Sequence, residues 1–172
     1  MKRRSAIRNI MIFAGGIYLM PSCSGDPKRA SIELNHFNLS AEQEALLAEI
    51  AEILIPKTAD APGAKDLNLH LFTMKMVDDC HPKEDQKKFT AALRVMDKQG
   101  LFIKLDESQK KKMVSELLED ENAPEEFRIM MKITKRRVIQ GFTNSKYLMT
   151  DLGQYELVPG RYNGYFPVEK LS

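Results

Sequence analysis

The sequence predicts an all-α fold: a bundle of about five helices followed by an irregular, aromatic-rich arm. Three observations predict it. Apolar residues recur at three- and four-residue spacing through the middle of the chain, and helix-capping residues stand where these runs start and stop. The alternating pattern of a half-buried strand is absent before roughly the last 30 residues. A length of 172 residues, 43% hydrophobic and 29% charged, suits one core, and no internal repeat divides it.

The first helix is announced by Ser40 and Gln43, the spacing of a capping box, ahead of "SAEQEALLAEIAEILIP". Leu46, Leu47, Ile50, Ile53 and Leu54 make its apolar stripe, and Pro56 stops it. The loop "IPKTADAPGAK" follows, with two prolines and a glycine; Pro62-Gly63 makes a tight turn, and Asp60 or Thr58 can bond to local backbone. A second helix is expected over "KDLNLHLFTMKMVDDC", with Leu69, Phe72, Met76 and Cys80 facing the core.

Pro82 suits a first helical position and Glu84 and Asp85 suit the positive end of a helix dipole. A third helix is therefore expected over "PKEDQKKFTAALRVMDKQG", with Phe89, Leu93 and Met96 buried and Gly100 closing it. Asp106 and Gln109 repeat the capping-box spacing before a fourth stripe of Met113, Val114, Leu117 and Leu118. Pro124, Glu125 and Glu126 open a fifth helix, with Phe127, Met131, Thr134 and Val138 inward and Gly141 at its end.

Beyond Gly141 the helical period is lost. Residues 142–172 hold Phe142, Tyr147, Tyr155, Tyr162, Tyr165 and Phe166 among glycines and prolines. Large rings seek burial, so this segment reads as an arm packed on its own bundle, on a partner, or on both.

The other end has a different character. "MKRRSAIRN" is basic, and the apolar run after it is too short to span a bilayer, so residues 1–22 read as an export signal. Arg3 and Arg4 resemble a twin-arginine pattern, and the run ends in "MPSC", which resembles a lipoprotein cleavage site at Cys23. Lipidation would tether the chain without a transmembrane helix; alternatively Cys23 is an ordinary residue after a simple signal or an uncleaved anchor. Residues 23–38 then form a flexible tether, 39–141 the helical domain and 142–172 the arm.

Loss of residues 1–22 removes Lys2, Arg3, Arg4 and Arg8 and turns the formal charge from +2 to −2. That balance argues against a nucleic-acid partner. The basic cluster "KITKRR", residues 132–137, reads first as a solvated helix face, with a binding patch the less favoured reading.

Intrinsic chemistry is sparse. There is no glycine fingerprint for a dinucleotide, no C-x-x-C-H for haem and no paired C-x-x-C for zinc or iron–sulfur. Only "DDCHP" sets a histidine beside other ligand types, but Asp78, Asp79, Cys80 and His81 are consecutive and point in different directions on a helix. On the simplest reading Asp78 and Asp79 face water and Cys80 is a small buried thiol. A metal or cysteine–histidine enzyme centred there is the less favoured reading. In an oxidising compartment Cys80 is also a candidate for a disulfide to a partner subunit. No catalytic, cofactor-binding or metal-binding residue is assigned.

Three stretches resemble the gluconate 2-dehydrogenase small subunit family (subunit 3): residues 39–93, "KITKRRVIQGFTNS" and "YELVPGRYNGYFP". The first looks like the family's helix, its I-P-x-T-D-T-P-G-A loop and a second helix ending in a D-C-Y-like turn. The others look like its closing helix and V-P-G-x-Y-x-G tail. Departures are Ala59 and Ala61 around Asp60, and Phe142 where tyrosine is frequent.

The resemblance implies a non-catalytic accessory subunit that aids the folding, export and stability of a large subunit. That partner would be of the glucose-methanol-choline type, carrying FAD and oxidising a sugar or sugar acid, often with a haem-bearing cytochrome c as acceptor. The expected location is the periplasmic side of the envelope. Asp60, Pro62, Gly63, Tyr155, Pro159, Gly160 and Tyr162 are then structural or interfacial residues. A free-standing envelope lipoprotein that binds a ligand or protein is the alternative.

Overall fold

Six helices follow one another in the computed structural model, which describes residues 29–99 and 101–152. They are α1 (Ala41–Leu54), α2 (Leu69–Cys80), α3 (Lys83–Gln99), α4 (Leu101–Lys104), α5 (Glu107–Glu119) and α6 (Glu125–Thr143), and a single π-helical turn at Tyr147–Asp151 comes after them. No strand occurs among the described residues; there is one isolated antiparallel bridge, Arg29 to Ser40. No helix among them is long and apolar enough to cross a membrane.

Both expected capping boxes form. Ser40 Oγ accepts the Gln43 N–H and Gln43 Oε1 accepts the Ser40 N–H, and Asp106 and Gln109 do the same for α5. α1 buries Leu46, Leu47, Ile50 and Ala51, α3 buries Phe89, Leu93 and Met96, and α6 buries Met130, Met131, Thr134 and Val138. α6 packs against α1, α2, α3 and α5, and α1 meets the other five helices, so these two carry the centre of the bundle. The main core joins Leu46, Leu47 and Ile50 to Met74, Val77, Phe89, Leu93, Phe102, Val114, Met130 and Met131. A smaller cluster of Ala51, Ala64, Leu69 and Val138 lies apart from it.

Several elements differ from the sequence reading. α2 starts at Leu69, because residues before it form turns and Asn68 adopts a left-handed conformation with φ of 53°. Asparagine tolerates that region better than most residues. The inward side of α2 is Leu69, Thr73, Met74, Val77 and Asp78; Phe72 and Met76 are half-buried and Cys80 is exposed. Thr73 can be buried because its hydroxyl donates to the Leu69 carbonyl at 2.9 Å.

Gly141 does not end the last helix, which continues to Thr143. Its role is close approach: a Cβ there would stand 2.9 Å from Phe72 Cδ1 and 3.1 Å from Leu69 Cδ2. α4, four residues long, was not expected. Gly100, expected to close α3, lies outside the described residues.

Within the stretch read as tether, the described residues pack on the bundle. Ala30, Ile32, Leu34 and Phe37 pack on the main core, and Ala30 N–H donates to the Leu39 carbonyl at 3.1 Å. The start of the arm behaves similarly, with the rings of Phe142 and Tyr147 6.3 Å apart.

Candidate functional site

The loop between α1 and α2 is held from below by one carboxylate. Glu52, in the last turn of α1, accepts the Lys57 N–H at 3.0 Å through Oε1 and the Lys65 N–H at 2.8 Å through Oε2. Both flanks of the loop are thereby tied to one side chain. Gly63 leaves room for the same group, since a Cβ would lie 2.3 Å from Glu52 Oε1 and the carboxylate would have to move. Its N–H donates to Asp66 Oδ2 at 3.2 Å, and Asp66 also pairs with Lys57 at 3.0 Å.

Within the loop the Thr58 N–H donates to the Ala61 carbonyl and the Ala61 N–H donates to Thr58 Oγ1. Tyr147 Oη donates to the Asp60 carbonyl at 2.8 Å, so the start of the arm clamps the loop tip. It is therefore the Asp60 backbone oxygen that the fold uses. Pro56, Lys57, Thr58, Ala59 and Asp60 are exposed, whereas Pro62 is half-buried and Gly63 and Ala64 are buried. The result is a fixed shape presented to solvent.

The "DDCHP" turn is organised differently from expectation. Asp78 is 1% exposed and does not face water. Its oxygens accept the N–H groups of Asn35 and His36, each at 2.8 Å, and the His36 ring lies 3.2 Å away. Burial alone would push this carboxyl up, but those bonds outweigh it and hold it below the ordinary carboxylate value. Asp78 thus binds the N-terminal segment to α2. Cys80 points out, so it does not complete the apolar stripe.

His81 turns toward α6, where Arg137 directs Nε and Nη2 at its Nε2 from 3.1 and 2.9 Å. Arg137 also donates to Gln140 Oε1 at 2.7 Å and is 9% exposed, so the end of the basic cluster is an interior anchor and not a solvated cation. Burial and the Arg137 charge push the His81 pKa down, against the pull of Asp85, and leave the ring neutral with Nε2 as acceptor. Gln86 Nε2 sits 2.9–3.0 Å from the carbonyls of Val77, Asp78 and His81, closing the turn.

These four consecutive residues therefore face three environments and do not converge. No group of three metal-ligating side chains forms among the described residues. Two further titratable groups flank the loop. Glu49 is held below its ordinary value by Lys65, against burial and with help from Lys110. Burial pushes His70 down, against the charge of Glu44.

A family model described as gluconate 2-dehydrogenase subunit 3 matches residues 41–160, more than half of the chain. The chain belongs to the gluconate 2-dehydrogenase subunit 3 family. No curated protein and no solved structure matches it. As a member of this subunit family the chain is the accessory partner of a larger dehydrogenase subunit. The family match spans the clamped loop, the Asp78 to His81 turn and all of α6.

Of the residues expected to be interfacial or structural, Asp60, Pro62 and Gly63 come together in the clamped loop. Arg3, Arg4, Cys23, Tyr155, Pro159, Gly160 and Tyr162 lie outside the described residues. Sequence reasoning missed Glu52, Asp78, Arg137 and Tyr147 as organising residues. The available signal for Glu52 was its place one turn ahead of a loop rich in donors; nothing local distinguishes Arg137 from Arg136.

Proposed function

We propose that the chain is the non-catalytic small subunit of a periplasmic, FAD-dependent dehydrogenase of the glucose-methanol-choline type that acts on a sugar or sugar acid. Family membership carries this reading. The clamped loop supports it, because Glu52, Gly63, Asp66 and Tyr147 fix the shape of residues that are themselves exposed. Rigid exposed backbone binds a partner with little ordering cost.

The twin-arginine-like leader would carry a folded, flavin-loaded large subunit out of the cytoplasm, and lipidation at Cys23 would keep the complex at the membrane. The cofactors reside in the partners: FAD in the large subunit and haem in a cytochrome c subunit. The exposed Cys80 thiol is the candidate for an intersubunit disulfide, which non-reducing electrophoresis of the complex reads directly.

Expression of the large subunit with and without this chain tests the proposal. Copurification, higher soluble yield and flavin loading only in the presence of the chain are expected, with export lost in an Arg3→Lys, Arg4→Lys variant. A large subunit that folds, binds flavin and is exported equally well alone, and never copurifies, would sink it.

A further inference from the structure

The outward side of α6 is a line of cations. Arg128, Lys132, Lys135 and Arg136 are all exposed and stand at i, i+4, i+7 and i+8, which puts them on one side of a 3.6-residue helix. Ile139, 46% exposed, continues the line, and the strip runs ~16 Å at 1.5 Å per residue. None of the four cations has a carboxylate partner among the described residues.

Several other lysines are paired, while Lys83, Lys87, Lys98, Lys104 and Lys146 are exposed singly without an ion pair among the described residues. Lys57 meets Asp66, Lys65 and Lys110 meet Glu49, Lys88 meets Glu84 and Glu125, and Lys111 meets Glu107. Like charges one turn apart destabilise a helix, and no carboxylate of the described residues forms an ion pair with the α6 strip.

Beside the strip a groove of about 360 Å³ runs between the end of α5 and α6. Leu117, Leu118 and Met131 give it an apolar lining. Arg128, Lys132 and Lys135 bound it on the α6 side, and the acidic run from Glu119 to Glu121 bounds it on the α5 side. An apolar trough between walls of opposite charge selects for both the shape and the charge of what lies in it.

We propose that this groove docks an amphipathic segment of the large dehydrogenase subunit that is acidic along the edge facing α6 and basic along the edge facing α5, a proposal that rests on the subunit reading above. The segment sets apolar side chains on Leu117 and Leu118, carboxylates against Arg128, Lys132 and Lys135, and cations against Glu119, Asp120 and Glu121. An anionic membrane fits the groove worse. Its flat surface would meet Glu119, Asp120 and Glu121 together with the cations, and the apolar side of α6 is already spent on the core, leaving no face to insert. Charge across such a contact speeds encounter and weakens with salt.

The test uses the full-length chain and the co-expressed large subunit. An Arg128→Glu, Lys132→Glu, Lys135→Glu variant is compared with wild type and with Lys111→Glu, Lys112→Glu on α5, by Kd at low and high salt. Affinity roughly tenfold weaker with a flattened salt dependence is expected for the α6 variant alone, with unchanged helicity by circular dichroism. If that variant fails to fold, Lys132→Ala reports in its place, with a smaller loss of affinity in the same direction.

Wild-type affinity and salt dependence in the α6 variants overturn the groove while leaving the subunit reading intact. A wild-type chain that never binds the large subunit overturns both. Loss of binding to phosphatidylglycerol vesicles with an unaltered complex also overturns the proposal, in favour of a membrane-facing strip.

Discussion

Asp78 shows how one side chain can gather distant backbone onto a helix. Its carboxylate accepts two backbone N–H groups 42 and 43 residues away in sequence, and these bonds order a segment that composition reads as a tether. In Asp78→Asn the amide offers one acceptor oxygen for two donors, so one partly buried N–H loses its charged acceptor at a cost of about 1–2 kcal/mol. Urea unfolding should show the loss as a lower midpoint; an unchanged midpoint would mean the clamp contributes nothing.

His81 supplies the pH dependence. Its folded pKa lies below the ordinary 6.5, so the folded state binds the proton less well than the unfolded chain. The stability it confers is present above about pH 6.5 and is lost as pH falls through the folded value. His70, also depressed, acts in the same direction, while Asp78 and Glu49 add losses only at lower pH, because their pKa values start from 3.8 and 4.5 and are lowered. His81→Gln keeps an acceptor for Arg137 without a titrating ring. Between about pH 7.5 and about pH 5 it should lose less stability than wild type; an equal loss would remove His81 from the account. Neither residue's role was legible in "DDCHP", because the partners, Asn35, His36 and Arg137, lie far away in the chain.

At the scale of elements, local rules worked where the determinants are local. Ser40 with Gln43 and Asp106 with Gln109 set helix starts through bonds three residues apart, and the stripes of α1, α3 and α6 follow from the helical period. The face of α2 was misjudged because Thr73 and Asp78 satisfy their polar atoms inside, and α4 is too short to show a period. The two close approaches of glycine give separate predictions. Gly63→Ala must displace the Glu52 carboxylate, and because its bonds to the loop amides are exposed the loss should be about 0.5–1.5 kcal/mol, with the loop unclamped. Gly141→Ala forces α6 away from Phe72 and Leu69 of α2, an overpacking cost of about 1–3 kcal/mol. Thermal melting of each variant checks these; melting at the wild-type temperature would show that the neighbours yield without cost.

For the whole molecule, the boundary at Gly141 suggested by the lost helical period is not where packing stops. Phe142 and Tyr147 close over the loop region and Tyr147 bonds to Asp60, so a cut after Gly141 would unclamp the loop as well as remove the arm. Truncation after Leu152 separates the two effects. The bundle should keep its melting temperature while affinity for the large subunit falls; full affinity would deny the arm a role in docking. The all-α class, the main helix starts and the family are legible along the chain, because capping, periodicity and the loop-and-tail motifs are written in residues close together. Packing alone sets which polar groups turn inward and how the loop is fixed. Glu52, Asp78 and Arg137 owe their roles to partners brought beside them by packing, and a buried charge is stable only where those partners complete its bonds.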